Sequence, residues 1–244
     1  MNPSTTVEVP PLKIGMQLGI PSWSMRMYFS SYHLWAAKHF LHISGEIEES
    51  IKDLPAIDMQ HRAFIISSIF SSVAFLEAAI NEIFQDALDN NHFYIESLGK
   101  DKIELLADYW RMTEIEKKSH LSVLDKYQLA LRFCGREPFK KDKNPYQDAN
   151  LIIKLRNTLI HYKPESLSPD KPHKIGDKLK GKFPENKLVS KSANPYFPDK
   201  GLGYGCANWS CKSMEKFTDA FFQKLGIEPN YKKVSFLNPK VADK

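Results

Sequence analysis

Between Asp58 and Asn90 the apolar positions recur in alternating steps of three and four: Ile66, Ile69, Val73, Leu76, Ile80, Ile83 and Ala87. Such spacing returns side chains to one face of an α-helix, so it predicts a long helix with Asp58 as its N-cap. Ser67, Ser71, Ala74 and Ala78 form a neighbouring line of small residues, on which a second helix can approach closely. A third line, Phe70, Ala74, Glu77, Asn81, Phe84 and Leu88, is apolar except at Glu77 and Asn81.

The same reading predicts an aromatic-rich helix over 22–50, closed by Pro55, and helices at about 101–112, 116–134 and 146–163. Gly135 is the expected C-cap of the 116–134 helix. A last helix over 206–225 carries Met214, Phe217, Phe221 and Leu225 on one face, with Gly226 as its stop. No segment alternates with the period of two that a strand requires, and no internal repeat is visible. The expected fold is all-α: a helical bundle forming one domain over 22–225, after an irregular Pro-containing leader over 1–21 and before a tail over 226–244. A long Pro/Lys-rich loop, 164–200, precedes the C-terminal helix. It holds six prolines and one candidate short helix near 176–181. Connections of that length inside a domain are usually functional or mobile.

Composition narrows the class. A hydrophobic content of 42% over 244 residues is enough to build a core without staples. The net charge of +5 is compatible with a polyanionic partner but does not require one. Three cysteines, Cys134, Cys206 and Cys211, imply no disulfide framework, and the five-residue step between the last two points them to different helix faces, against a zinc site. The N-terminus lacks a signal pattern, and the apolar runs are broken by serines and charges before membrane-spanning length. A cytoplasmic protein without a membrane segment is expected. No P-loop, glycine-rich nucleotide fingerprint or Ser-His-Asp arrangement is present, so neither cofactor nor metal is expected. His33, His39 and His42 read as aromatic packing on the first helix. The stretch 163–191 has eight lysines against four acids, which suits either a phosphate-contacting flap or a solvated loop.

The informative stretch is KLRNTLIHYKP, residues 154–164. On a helical wheel Ile152, Leu155, Leu159 and Tyr162 make one apolar line, and Ala149, Ile153 and Ile160 the next. Arg156 falls between them. Asn150, Lys154, Asn157 and His161 form a separate polar line, with Asn157 and His161 one turn apart and Arg156 about 140° away from His161. A guanidinium directed at an apolar face needs a partner, and Glu77, assisted by Asn81, is the expected one, as a buried ion pair. His161 lies in the last turn, where backbone carbonyls favour positive charge and where a histidine can serve as proton carrier near neutral pH.

These residues resemble a known family. LRNTLIHYKPE matches the Arg-Asn-x-x-x-His signature of HEPN domains, and FLEAAINEIF, residues 75–84, is similar to the acidic long helix of that all-α superfamily. The core of the resemblance spans roughly residues 58–164. It implies a metal-independent endoribonuclease, commonly a toxin or defence effector. Arg156 would hold the scissile phosphate, Asn157 would orient it and His161 would act as acid or base. Glu77, Asn81 and Tyr162 would support them, while Lys154 and Lys163 would contact RNA. One signature histidine per chain is too few for both a base and an acid, so a homodimer is expected, with an antitoxin or inhibitor protein as a further partner. A non-catalytic module that binds RNA or a nucleotide, or a helical interaction protein in which Arg156–Glu77 is purely structural, are the alternatives.

Overall fold

A computed structural model describes residues 25–50, 57–115, 121–167 and 172–233. Among them are seven α-helices and no strand: α1 Phe29–Ser50, α2 Met59–Leu88, α3 Lys100–Ile115, α4 Val123–Phe133, α5 Tyr146–Ile160, α6 Lys174–Leu179 and α7 Tyr204–Leu225. The fold is mostly helical, as the periodicity predicts. The leader over 1–21 and the end of the tail lie outside the described residues.

The seam on α2 explains its central place. Ile69, Val73, Leu76, Ile80, Ile83 and Ala87 are buried, as are Ile65 on the same seam and Phe75 and Ala79 on its flank, while Ile66 is half-buried. A helix with so wide an apolar arc must be enclosed on several sides, and α1, α3, α4, α5 and α7 all pack against α2. Asp58 caps it as expected, accepting the His61 N–H at 2.6 Å. By length and composition alone α2 could cross a membrane, which corrects the expectation that the apolar runs stop short of that; half of its most apolar stretch is buried among the other helices. The close approach of α1 uses Ser68, whose hydroxyl donates to the Ala37 carbonyl at 2.8 Å. The predicted line Ser67, Ser71, Ala74 and Ala78 is half-buried.

Element ends shift where caps compete with periodicity. The predicted 116–134 helix begins at Val123, because Ser122 Oγ accepts the Asp125 N–H at 3.3 Å, as an N-cap does; residues 116–120 lie outside the described segments. Helix α1 starts at Phe29 rather than 22. There Glu82 of α2 receives the Ser30 N–H at 2.8 Å and the Ser30 hydroxyl at 2.7 Å, satisfying donors that the helix start leaves open. Just before it, Arg26 reaches the fully buried Asp86 at 2.6 Å. The segment 25–28 and the end of α2 border an open hollow of about 410 Å³, lined among others by Arg26, Tyr28, Glu82 and Asp86.

Burial pushes the Glu82 carboxyl up to about 7, against ~4.3 for an unperturbed glutamate. Between those values the folded chain keeps a proton that the unfolded chain has lost, so stability falls as pH rises, by about 1.4 kcal/mol per pH unit. The expected result is a fold about 3 kcal/mol less stable at pH 8 than at pH 4.5 on account of this group. Glu82→Gln should remove that slope. Urea titrations of parent and variant across this range check it, and parallel pH profiles would refute it.

The segment between α5 and α7 is built rather than solvated. Leu188, Val189, Phe197 and Leu202 are buried. Asn186 donates to the Asp199 and Leu202 carbonyls at 3.3 and 3.2 Å, and Arg62 of α2 binds Asp199 at 3.0 Å. These bonds hold the chain against the N-terminal end of α2 and the start of α7. Gly203 is needed there, because a Cβ would lie 2.5 Å from Asn186 Cα.

Candidate functional site

Helix α5 buries Tyr146, Ala149, Ile152 and Leu155, steps of three that wind its contact stripe slowly around the helix. Beyond Leu155 burial is only partial, with Leu159 still packed against the core. Ile160 and Tyr162, expected in the apolar lines, are 48% and 40% exposed. The helix stops three residues earlier than predicted: His161 is the C-cap, with its N–H on the Asn157 carbonyl at 3.0 Å, and the chain leaves toward Pro164. Asn157, His161, Lys154 and Lys163 are all exposed. The signature therefore forms the open end of a helix whose other end is packed.

Arg156 points from this end toward α2. Its side chain is three-quarters buried, and its Nε has no hydrogen-bond partner. The nearest carboxylate is Glu77 Oε2, at 4.0 Å, which is too long for a hydrogen bond. Glu77 itself is 45% exposed. The expectation of a buried ion pair is thus corrected: α2 turns Glu77 toward solvent, where such a pair contributes only ~0–1 kcal/mol. What remains is a partly desolvated guanidinium whose planar donors are poorly used.

Asn81 does not join that pair. Its Oδ1 accepts from Lys126 of α4 at 2.9 Å, and the same ammonium lies 5.2 Å from the Trp110 ring centroid. Burial lowers the Lys126 pKa, with Glu77 opposing the shift. The polar notch in α2 therefore serves two cations, one from α5 and one from α4. Lys126 was not singled out in the sequence. Its only local signal is a position beside Tyr127 on the apolar half of α4.

A second overlooked residue stands beyond the helix end. The Tyr162 and His173 rings stack with centroids 6.3 Å apart and planes 22° apart, and His173 leans on the buried Phe197 at 4.7 Å. His173 Nδ1 accepts the Ile175 N–H at 3.1 Å, which places the proton on Nε2, 3.2 Å from Glu165. Both of its nitrogens are engaged. His161 is thus the histidine of this end with free ring nitrogens among the described residues.

Elsewhere the sequence reading of the first helix holds for two of its three histidines: His39 stacks on Trp35 at 4.7 Å and His33 packs against Phe29, whereas the half-exposed His42 faces Glu46 at 3.5 Å. Burial pushes the Cys206 thiol up to about 12 and the Cys211 thiol up to about 11, so neither is a nucleophilic thiolate at neutral pH. Among the described residues no three His, Cys, Asp or Glu side chains converge as a metal site. A buried Glu48–His61 contact of 3.0 Å resembles a catalytic dyad in its geometry. Yet Glu48 Oε1 also takes the Tyr204 N–H at 2.6 Å, so its oxygen tethers the start of α7. No protein-family model, no curated protein and no solved structure matches this chain.

Proposed function

We propose that this chain is a metal-independent endoribonuclease of HEPN type, acting in the cytoplasm as a homodimer in a toxin or defence setting. The observation that carries the reading is the open end of α5, where a three-quarters-buried Arg156 directly precedes an exposed Asn157, with an exposed His161 one turn beyond Asn157. A phosphodiester would meet the quarter of the Arg156 side chain that stays exposed, since its Nε is buried.

The chemistry is internal attack. The substrate 2′-hydroxyl loses its proton to a histidine, its oxygen bonds to the adjacent phosphorus, and the bond from phosphorus to the 5′-oxygen breaks. The leaving 5′-oxygen takes a proton from an acid, and the products are a 2′,3′-cyclic phosphate and a free 5′-hydroxyl. Arg156 would stabilise the charge of the pentavalent oxyanion, and Asn157 would orient the phosphate. The nucleophile belongs to the substrate, so RNA is cut and DNA is not.

Base and acid together need two proton carriers, and each chain brings one free histidine to this end. Two α5 ends facing each other across a two-fold axis would supply both. The exposed Ile160 and the half-buried line Ser67, Ser71, Ala74 and Ala78 are surfaces from which such a dimer could gain apolar contact. An antitoxin or inhibitor protein covering the same end would be the natural control on such an activity.

The test is RNA cleavage in EDTA, read at nucleotide resolution, with single variants and their mixture. Arg156→Ala and His161→Ala should each be inactive, and mixed dimers should recover part of the parent rate where a composite site takes its arginine and histidine from opposite chains. Cleavage by a chain that sediments as a monomer would overturn the two-chain site. A non-catalytic RNA-binding module is the second reading, favoured by Arg156 and His161 splaying to different sides of α5. Saturable RNA binding without any cleavage would establish it.

A further inference from the structure

A cavity of about 450 Å³ lies beside the signature end, lined among others by Pro172, Lys180, Glu185, Asn194, Tyr196 and Lys200. It joins that end through a short row of rings. Pro172 precedes His173, which stacks on Tyr162, and Tyr196 precedes Phe197, on which His173 rests.

Its walls are fixed at some cost. Asn194 Nδ2 donates to Asp199 at 2.9 Å, and the same carboxylate binds Arg62 of α2, so the turn carrying Tyr196 and Lys200 is anchored to the central helix. Ordering so irregular a segment spends conformational entropy that packing alone could have avoided with a shorter loop. Two lysines, Lys180 and Lys200, are among the residues that line this hollow. Lys180 Nζ stands 5.7 Å from the Tyr196 ring centroid, with its nearest carboxylate, Asp177, as far as 3.9 Å. Lys200 Nζ makes no hydrogen bond or ion pair among the described residues. One carboxylate, Glu185, shares the lining. Two like charges in one concavity repel unless an anion lies between them.

We infer that this cavity is a phosphate subsite, with Lys180 and Lys200 as its cations and the Tyr196 face as the platform holding Lys180 in place. Placed past Tyr162, it suits a phosphodiester of the RNA strand downstream or upstream of the bond presented to Arg156 and His161. In that form the inference rests on the ribonuclease reading. As a site for the phosphate group itself, free or esterified, it does not.

The experiment uses full-length His161→Ala protein, which cannot cut, titrated with a labelled single-stranded oligouridylate over 50–200 mM NaCl, the range over which phosphate contacts are expressed as a salt slope. Lys180→Met with Lys200→Met keeps the aliphatic stems and removes the charges. This pair should weaken binding roughly tenfold and reduce the slope of log affinity against log salt by about 1.4, the value for two contacts on a single strand. Replacing the exposed Lys212 and Lys216 of α7 by methionine changes net charge equally and should leave the slope unaltered. Lys180→Arg with Lys200→Arg should restore affinity, separating loss of charge from loss of fold.

An unchanged slope in the methionine pair, or an equal fall in the α7 control, overturns the subsite. Inorganic phosphate titrated into the same proteins separates the two sources. Saturable phosphate binding that depends on Lys180 and Lys200, in a protein that binds no RNA, would keep the cavity and refute the ribonuclease reading. Binding of neither refutes both.

Discussion

His161→Ala is expected to lower RNA cleavage by at least ~100-fold, the lower end of what a positioned acid or base contributes. The fold should survive the change. His161 is an exposed C-cap whose own contribution to the helix is its backbone N–H, which alanine retains. A parent-like melting curve together with loss of cleavage would separate chemistry from stability. His173 cannot substitute, because its two nitrogens hold Ile175 and Glu165. Cleavage at the parent rate by the alanine variant would place the active centre elsewhere in the chain. EDTA should leave the parent rate unaltered, since neither the internal nucleophile nor the guanidinium calls for a metal.

The second large effect is on stability. Glu48→Ala should destabilise the fold by ~3–5 kcal/mol, the cost of removing one partner from a buried polar contact. Glu48 and His61 are almost fully buried, with side chains 3% and 1% exposed. Deleting the carboxylate strands the His61 ring nitrogen and the Tyr204 N–H together, and each lost partner leaves its donor desolvated. Glu48→Gln keeps one acceptor oxygen and should fall between parent and alanine variant. Denaturant midpoints at constant pH measure the difference. A midpoint equal to the parent's would mean that water replaces the carboxylate. The contrast with Glu77, half-exposed and 4.0 Å from its cation, shows why burial rather than charge sets the size of such effects.

The helices were legible because their causes are local. A seam such as Ile69, Val73, Leu76 and Ile80 sets both the helix and its buried face through spacing alone. Asp58 starts α2 and Gly226 ends α7 with φ at 77°, because caps act within a few residues of themselves. The candidate site was legible for the same reason: Arg156, Asn157 and His161 lie within six residues on one helix end, and their relative directions follow from helical geometry.

Tertiary structure alone decided the partners. Whether Glu77 faces Arg156 from the core or from solvent depends on how α5 is rotated against α2, which no local pattern encodes. Asn81 turned out to hold Lys126, 45 residues away, and Glu48 to tether Tyr204, 156 residues away. His173 came to lie beside Tyr162 because Phe197, placed by the Arg62–Asp199 anchor, gave it a surface to rest on. Sequence spacing determines which side chains share a face. Which faces meet, and where the core stops, is set by long-range packing, so Ile160 and Tyr162 continue the apolar pattern of α5 and yet stand exposed at its open end.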